Sequence, residues 1–192
     1  MKKFLILLLF GILSCEKIPK ETKIKVERKE TVAITSSNLL SIGEKIEGNF
    51  KGDGQIYFAT AVKIKEGIGN PVEDGTSDQY EIQFSGNLPI INAGCCSIRL
   101  VNEGDLNNDG TDEISLFQAP MNGCTYSMTT YSLTKGNWKK VINEFMIATG
   151  CDEISDDDLQ RRIFKEKDTI YYFEADPNDE NQTLIKKKAN EL

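Results

Sequence analysis

The residues of this chain best suited to chemistry run from Gly104 to Glu113, in the order Gly-Asp-Leu-Asn-Asn-Asp-Gly-Thr-Asp-Glu. Oxygen-bearing side chains stand at alternate positions, Asp105, Asn107 and Asp109, and Gly110 follows at once. In a tight loop alternate side chains point inward, so these three converge. Gly110 lacks a Cβ and lets the chain reverse sharply. Thr111 can then offer its carbonyl oxygen and Glu113 a further carboxylate, with Asp112 beside it as a second acid able to close the set. Calcium takes a many-oxygen, irregular shell of this kind. The ion's expected role is structural, since one cation neutralises carboxylates that otherwise repel each other. Without an ion the same residues make an Asx-rich turn.

The helical calcium families are excluded. An EF-hand needs a bidentate acid at its twelfth position and flanking helices, and here that position is Leu116, inside a strand pattern.

Catalysis has little to work with. The 192 residues include no histidine. That rules out Ser-His-Asp and Cys-His nucleophile systems. It also removes the usual zinc and non-haem iron ligands and the commonest general base near neutral pH. The chain is acidic, with 23 basic residues against 30 acidic ones and a formal charge of -7. Phosphate backbones would be repelled, so no nucleic-acid partner is expected.

The elements that must position the loop belong to 41–192, read as a single β domain of about the size of one ordinary domain. Ile56, Phe58, Val62 and Ile64 alternate along Gln55–Lys65, with Thr60 completing the row that is expected to face the core. Tyr80, Ile82 and Phe84 mark a half-buried strand, Ser97–Val101 a third, and Glu113–Gln118 a fourth. Ser127–Thr134 and Trp138–Met146 form a hairpin around Lys135-Gly136-Asn137. Thr169–Glu174 and Thr183–Lys188 form another around Asp176-Pro177-Asn178-Asp179. Only Ile154–Phe164 hints at helix, with Ser155 as cap and Asp158 three residues on; the rival reading makes Arg162–Lys165 a strand that turns at Glu166–Asp168. Eight strands and almost no helix predict an all-β fold of antiparallel sheets, in an incomplete propeller-like or sandwich arrangement.

The N-terminus points to export. Lys2-Lys3 precedes an apolar run from Phe4 to Leu13, too short to span a bilayer and suited to a signal sequence. Ile12-Leu13-Ser14-Cys15 resembles a bacterial lipobox. That resemblance implies a signal peptide over 1–14 and lipid (palmitate) on Cys15, which anchors the chain to the membrane of the cell envelope, periplasmic or outer-membrane. Residues 15–40 mix Lys, Glu and Thr with little apolar mass and read as a tether. Within it, Val26–Ile34 alternates weakly, as an added edge strand would.

Four cysteines remain, Cys95, Cys96, Cys124 and Cys151, an even number that predicts two disulfides in an exported protein. If Cys95-Cys96 is extended, its side chains point to opposite faces. They would then reach Cys124 and Cys151, in either order; a Cys95–Cys96 bridge needs a strained eight-membered ring and is not expected.

The loop's residues resemble the calcium loops of FG-GAP/VCBS-type repeats. Gly104, Asp105, Asn107, Asp109, Gly110 and Ile114 match that pattern in place, and Glu113 stands where Asp is usual. The resemblance implies Ca2+ held by Asp105, Asn107, Asp109, Thr111 and Glu113, in a β-repeat setting. A second, decayed copy begins at Gly48, 56 residues earlier, as Gly48-Asn49-Phe50-Lys51-Gly52-Asp53-Gly54. Lys51 sits at its third ligand position and would repel a metal, so it reads as the same turn without the ion. The core from Gly104 to Glu113, followed by Cys124, Tyr126, Tyr131 and Trp138, is also similar to bacterial lipoproteins, a likeness that carries no activity with it.

These features predict a lipid-anchored β module that binds an envelope protein or a glycan, and no enzyme. Tyr126, Tyr131, Trp138, Tyr171 and Tyr172 are either its binding face or ordinary strand-face packing. The alternative function is a glycan hydrolase working through paired carboxylates, with Asp152, Glu153 and Asp156-Asp157-Asp158 as candidate acids. A spacer without a ligand is the third reading.

Overall fold

Five strands, each bonded to its neighbour in antiparallel register, make the central sheet of the computed structural model, which describes residues 41–189. In chain order the strands are β1 (Ile42–Gly43), β2 (Lys45–Gly48), β3 (Tyr57–Lys65), β4 (Gln79–Phe84), β5 (Ile91–Gly94), β6 (Ile98–Gly104), β7 (Glu113–Gln118), β8 (Thr125–Thr134), β9 (Asn137–Ala148), β10 (Ile163–Glu166), β11 (Thr169–Ala175) and β12 (Leu184–Lys188). One short helix, α1 (Asp156–Gln160), precedes β10. The central sheet runs β1-β6-β7-β8-β9; a four-stranded sheet runs β2-β3-β4-β5 and a three-stranded one β10-β11-β12. The fold is all-β and antiparallel, and none of the three sheets closes into a barrel. The segment predicted as a signal peptide, Cys15, the predicted tether and the Val26–Ile34 segment lie outside the described residues.

The central sheet is covered on both faces, and this explains its strands. On one face Ile98, Leu100, Ile114 and Leu116 pack with Ile46, Phe50, Tyr57, Ala59, Ile82 and Ile91 of the four-stranded side. On the other, Val101, Phe117, Met128, Ile142, Phe145 and Ile147 pack with Leu159 of α1 and Ile163 of β10. A strand half-buried on one side reads polar every second residue; β7 is instead buried along Glu113, Ile114, Ser115, Leu116 and Phe117. Its odd positions face one core and its even positions the other.

The β8–β9 hairpin follows its sequence signal. Thr134 pairs with Asn137 across a two-residue loop, and Lys135 and Gly136 both take positive φ, 52° and 76°, as a type I′ turn requires. The final hairpin, β11–β12, also stands where it was expected. Both readings of Ile154–Phe164 hold in part. Ser155 caps α1, its Oγ accepting from the Asp158 N–H, and the chain then turns straight into β10.

Two expectations are corrected. The row Ile56, Phe58 and Ile64 faces solvent, at 60, 43 and 51 % exposure, while Tyr57 and Ala59 are buried. The reason is that both faces of β3 carry apolar side chains, and Tyr57 and Ala59 are the pair that meets Phe50 and Ile82. The cysteine pairing also differs. Cys95 bonds Cys96, and Cys124 bonds Cys151. Cys95-Cys96 lies in the turn between β5 and β6, just after Gly94 at φ 74°, so it is not the extended segment that would send its side chains to opposite faces. Cys124 precedes β8 and Cys151 follows β9, and the Thr149 N–H donates to the Cys124 carbonyl between them. Their bridge therefore clasps the open end of the long hairpin. Closing its 27-residue separation contributes about 3–4 kcal/mol by chain entropy.

Candidate functional site

The Gly104–Glu113 segment is the connection between β6 and β7, and its shape follows from its own side chains. Both Asp105 carboxylate oxygens accept from the loop backbone, Oδ1 from the Asp109 N–H at 3.1 Å and Oδ2 from the Gly110 N–H at 3.0 Å. Asn107 Oδ1 accepts from the Asp109 N–H at 2.8 Å, and Asp109 Oδ1 from the Thr111 N–H at 2.8 Å. Such Asx turns bend the chain without help from the rest of the fold. Asn108 and Gly110 take the left-handed conformation, at φ 62° and 87°. Leu106 points the other way and is buried among Val101, Phe117 and Met128.

The two acids that follow part company. Asp112 turns away from its own loop: its Oδ2 accepts from the Asn49 N–H at 2.8 Å and from Asn102 Nδ2 at 3.2 Å. Glu113 turns inward. Its Oε2 accepts from the Leu106 N–H at 2.7 Å and its Oε1 from Asn107 Nδ2 at 2.9 Å. Asn107 Nδ2 is also 3.0 Å from Asp109 Oδ2 and 3.3 Å from Ser132 Oγ. Three oxygens from the loop, β7 and β8 thus converge on one amide nitrogen that has two hydrogens to give.

Beneath the loop the central sheet carries an unusual load. The buried polar residues among the described residues are Thr111 in the loop and, on β6, β7 and β8, Asn102, Glu103, Glu113, Ser115, Thr129, Thr130 and Ser132. The Ser115 and Thr130 hydroxyls bond each other at 2.8 Å across β7 and β8. Glu113 is fully buried and Glu103 only 6 % exposed. Burial pushes the Glu113 carboxyl up to about 7, against the pull of Ser132 and the Leu106 amide. Burial pushes Glu103 up to about 8; the nearby Ser115 hydroxyl opposes this and the Glu113 charge adds to it. Glu103 Oε1 has no hydrogen-bond partner, and no described basic side chain forms an ion pair with either glutamate. Glu103 carried no sequence signal of its own, beyond alternating with the buried Val101.

No group of three or more His, Cys, Asp or Glu is gathered around one point among the described residues. The donor set is nevertheless of the right chemistry for an oxygen-seeking cation. Glu113, Asn107, Asp109 and the Ser132 hydroxyl already share a centre. Asp105 is satisfied by backbone amides, and Thr111 is held through both its N–H and its hydroxyl on Asp109.

The predicted companion loop lies against this one. Asn49 donates from Nδ2 to the Gly110 carbonyl at 3.0 Å, and the Asp112 N–H donates to the Asn49 carbonyl at 3.1 Å. Gly52 lies so close that a Cβ there would meet Thr111 Cγ2 at 2.9 Å.

The aromatic residues do not make one surface. Tyr126 stacks on Phe117 at 4.7 Å, Tyr172 packs on Phe145, and Tyr171 lies beside Phe164 under Lys186. Trp138 stacks on Phe84 at 4.6 Å and donates from Nε1 to the Pro89 carbonyl at 2.7 Å, while Tyr131 packs against the same core. Of the acids proposed for hydrolysis, Asp156 pairs with Arg99 and Asp158 with Arg161. Asp152 and Glu153 line a cleft of about 220 Å³ beside Arg99 and Tyr126. No protein-family model, curated protein or solved structure matches the chain.

Proposed function

We propose that this chain is a lipid-anchored module of the cell envelope, stabilised by calcium, that binds a protein or glycan partner and performs no catalysis. The observation that carries the calcium part is the convergence of Asp109, Glu113 and Ser132 oxygens on Asn107 Nδ2. A cation in that setting gives each oxygen a partner and compensates carboxylate charge that nothing else in the loop offsets. The Asn107 amide then turns its oxygen toward the same centre and leaves the Asp109 N–H to Asp105 Oδ1, which already accepts from it. Of the two acids that could close the set, Glu113 is the one directed into the loop. Asp112 is committed to Asn49 and Asn102. The anchor rests on Lys2-Lys3, the apolar run and Ile12-Leu13-Ser14-Cys15. For the partner, support comes from the outward row of β3, whose exposed Ile56, Phe58 and Ile64 serve no core.

Hydrolysis is the weaker reading. The acids with raised proton affinity, Glu103 and Glu113, are sealed from substrate, and of the exposed acids Asp156 and Asp158 are engaged with arginines.

Calcium titration followed by thermal melting tests the central claim. The wild-type chain should gain several degrees at millimolar calcium, and Asp105→Ala and Asp109→Ala should abolish the gain. A wild-type melting temperature indifferent to calcium overturns the reading. Cys15→Ser should move the protein from the membrane fraction to the soluble one.

A further inference from the structure

The acid just before the loop, Glu103, is the residue of this region that neither the sequence pattern nor the proposed calcium set uses. Its side chain is buried in the central sheet, on the strand that pairs with β7, where Val101 stands opposite Ser115 and Gly104 opposite Glu113. Its Oε1 has no partner. A buried polar atom is almost always bonded, and one left over calls for a water or an ion. Water can satisfy a hydrogen bond but brings no charge. Two carboxylates buried together with no basic side chain require positive charge, either a proton or a metal cation. Lys165 Nζ, also buried and unpartnered, reaches no described carboxylate and does not supply it.

The neighbouring hairpin provides an internal control. In the β2–loop–β3 hairpin the position equivalent to Glu103 is Glu47, and the position equivalent to Glu113 is Tyr57. There Glu47 is exposed, and the buried Tyr57 donates its hydroxyl to Asp53 at 2.7 Å. That hairpin, with Lys51 in its loop, has no surplus of buried charge. The second hairpin replaces Lys51 by Asn107 and Tyr57 by Glu113, and turns its preceding glutamate inward. All three differences add oxygen or remove positive charge at one place.

We propose that Glu103 closes onto the loop's cation as the ion binds, holding it with Glu113 from the sheet side while Asn107 and Asp109 hold it from the loop side; the three acids are not gathered at one point beforehand. This inference rests on the calcium reading and extends it: the site reaches into the central sheet and ties β6, β7 and the loop together. The cation class is a divalent, oxygen-preferring ion, and calcium fits a shell of irregular shape better than magnesium does.

Calorimetric titration of calcium chloride into the purified full chain, with wild type, Glu103→Gln and Asp105→Ala side by side, tests this. Glu103→Gln keeps shape and removes charge. It should weaken calcium binding by about 100-fold or more, the upper range for loss of even a supporting metal-site group. If Glu103→Gln binds calcium as wild type does while Asp105→Ala does not, the calcium reading stands and the role of Glu103 is overturned. If wild type takes up no calcium, both fall. Should Glu103→Gln fail to fold, Glu103→Asp keeps the charge but withdraws the oxygens by one methylene. It should weaken binding at least 10-fold, and an unchanged affinity overturns the proposal.

Discussion

The Gly48–Gly54 and Gly104–Gly110 loops are built alike and furnished differently. In the first, the Gly54 N–H donates to Asn49 Oδ1 at 3.1 Å and the Gln55 N–H to Asp53 Oδ1 at 3.0 Å. In the second, the Gly110 N–H donates to Asp105 Oδ2 at 3.0 Å and the Thr111 N–H to Asp109 Oδ1 at 2.8 Å. Left-handed residues fall at matching places, Gly52 with Asn108 and Gly54 with Gly110. Each loop sends its second side chain, Phe50 or Leu106, into a core. One backbone design therefore tolerates opposite charge patterns. Lys51 bridges to Asp53 at 3.7 Å in the first; carboxylates with no cation of their own fill the second. The turn itself is made by Asx side chains and glycine, and what distinguishes the loops is which charge is compensated from within.

The largest test of that difference is pH. Glu103 and Glu113 keep their protons to about 8 and 7 in the folded chain, against an ordinary value of 4.5. Between those limits the folded state binds more protons than the unfolded state. Stability is therefore full below about pH 4.5 and declines as pH rises, by up to about 1.4 kcal/mol per unit for each group. Denaturant titrations without calcium should lose on the order of 5 kcal/mol between pH 5 and pH 8. Glu103→Gln with Glu113→Gln should flatten the curve, as should saturating calcium in the wild type. The other loop responds with opposite sign. Asp53 is held below its ordinary 3.8 by the Tyr57 hydroxyl and the Gln55 amide, so its contribution is present above that value and fades in acid.

Next come the two buried anchors. Phe50→Ala should cost about 3–5 kcal/mol, because the ring is wholly buried against Phe84 and Trp138. Leu106→Ala removes a smaller side chain from the opposite core and should fall at the lower end of about 2–5 kcal/mol. Urea midpoints compare them, and a larger loss at Leu106 would break the ranking of the loops. The smallest effect is Tyr57→Phe. Losing the hydroxyl that Asp53 accepts should cost about 1 kcal/mol, and the same denaturation curve at pH 7 should leave any calcium response untouched.

Much of this was legible in the residues, and the failures have physical causes. Glu113–Gln118 and the Lys135-Gly136 hairpin were readable because a strand run and a turn requiring positive φ are local properties. The loop was readable because its Asx turns close on themselves. The buried face of β3 was not, since Ile56 and Phe58 compete with Tyr57 and Ala59 and a period of two cannot choose between them. Only the contact with Phe50, which folds back from the preceding loop, decides it. The cysteine pairing was not legible because ring strain argues against bridging adjacent cysteines, and only the turn at Gly94, which keeps Cys95-Cys96 from being extended, brings them together. Glu103 was invisible because its burial depends on the central sheet being covered on both faces. A strand read alone predicts that glutamate in water.

That double covering has a kinetic consequence. A sheet with one wet face exposes its edges whenever its single partner layer loosens. The backbone of β7 is bonded to β6 and β8 and roofed on both sides. Opening either outer layer alone leaves its amides shielded by the other. In deuterated buffer the amides of Ile114 to Phe117 should exchange last, only through events that open the whole domain. Those of β12, at the end of the three-stranded sheet, should be among the first to go.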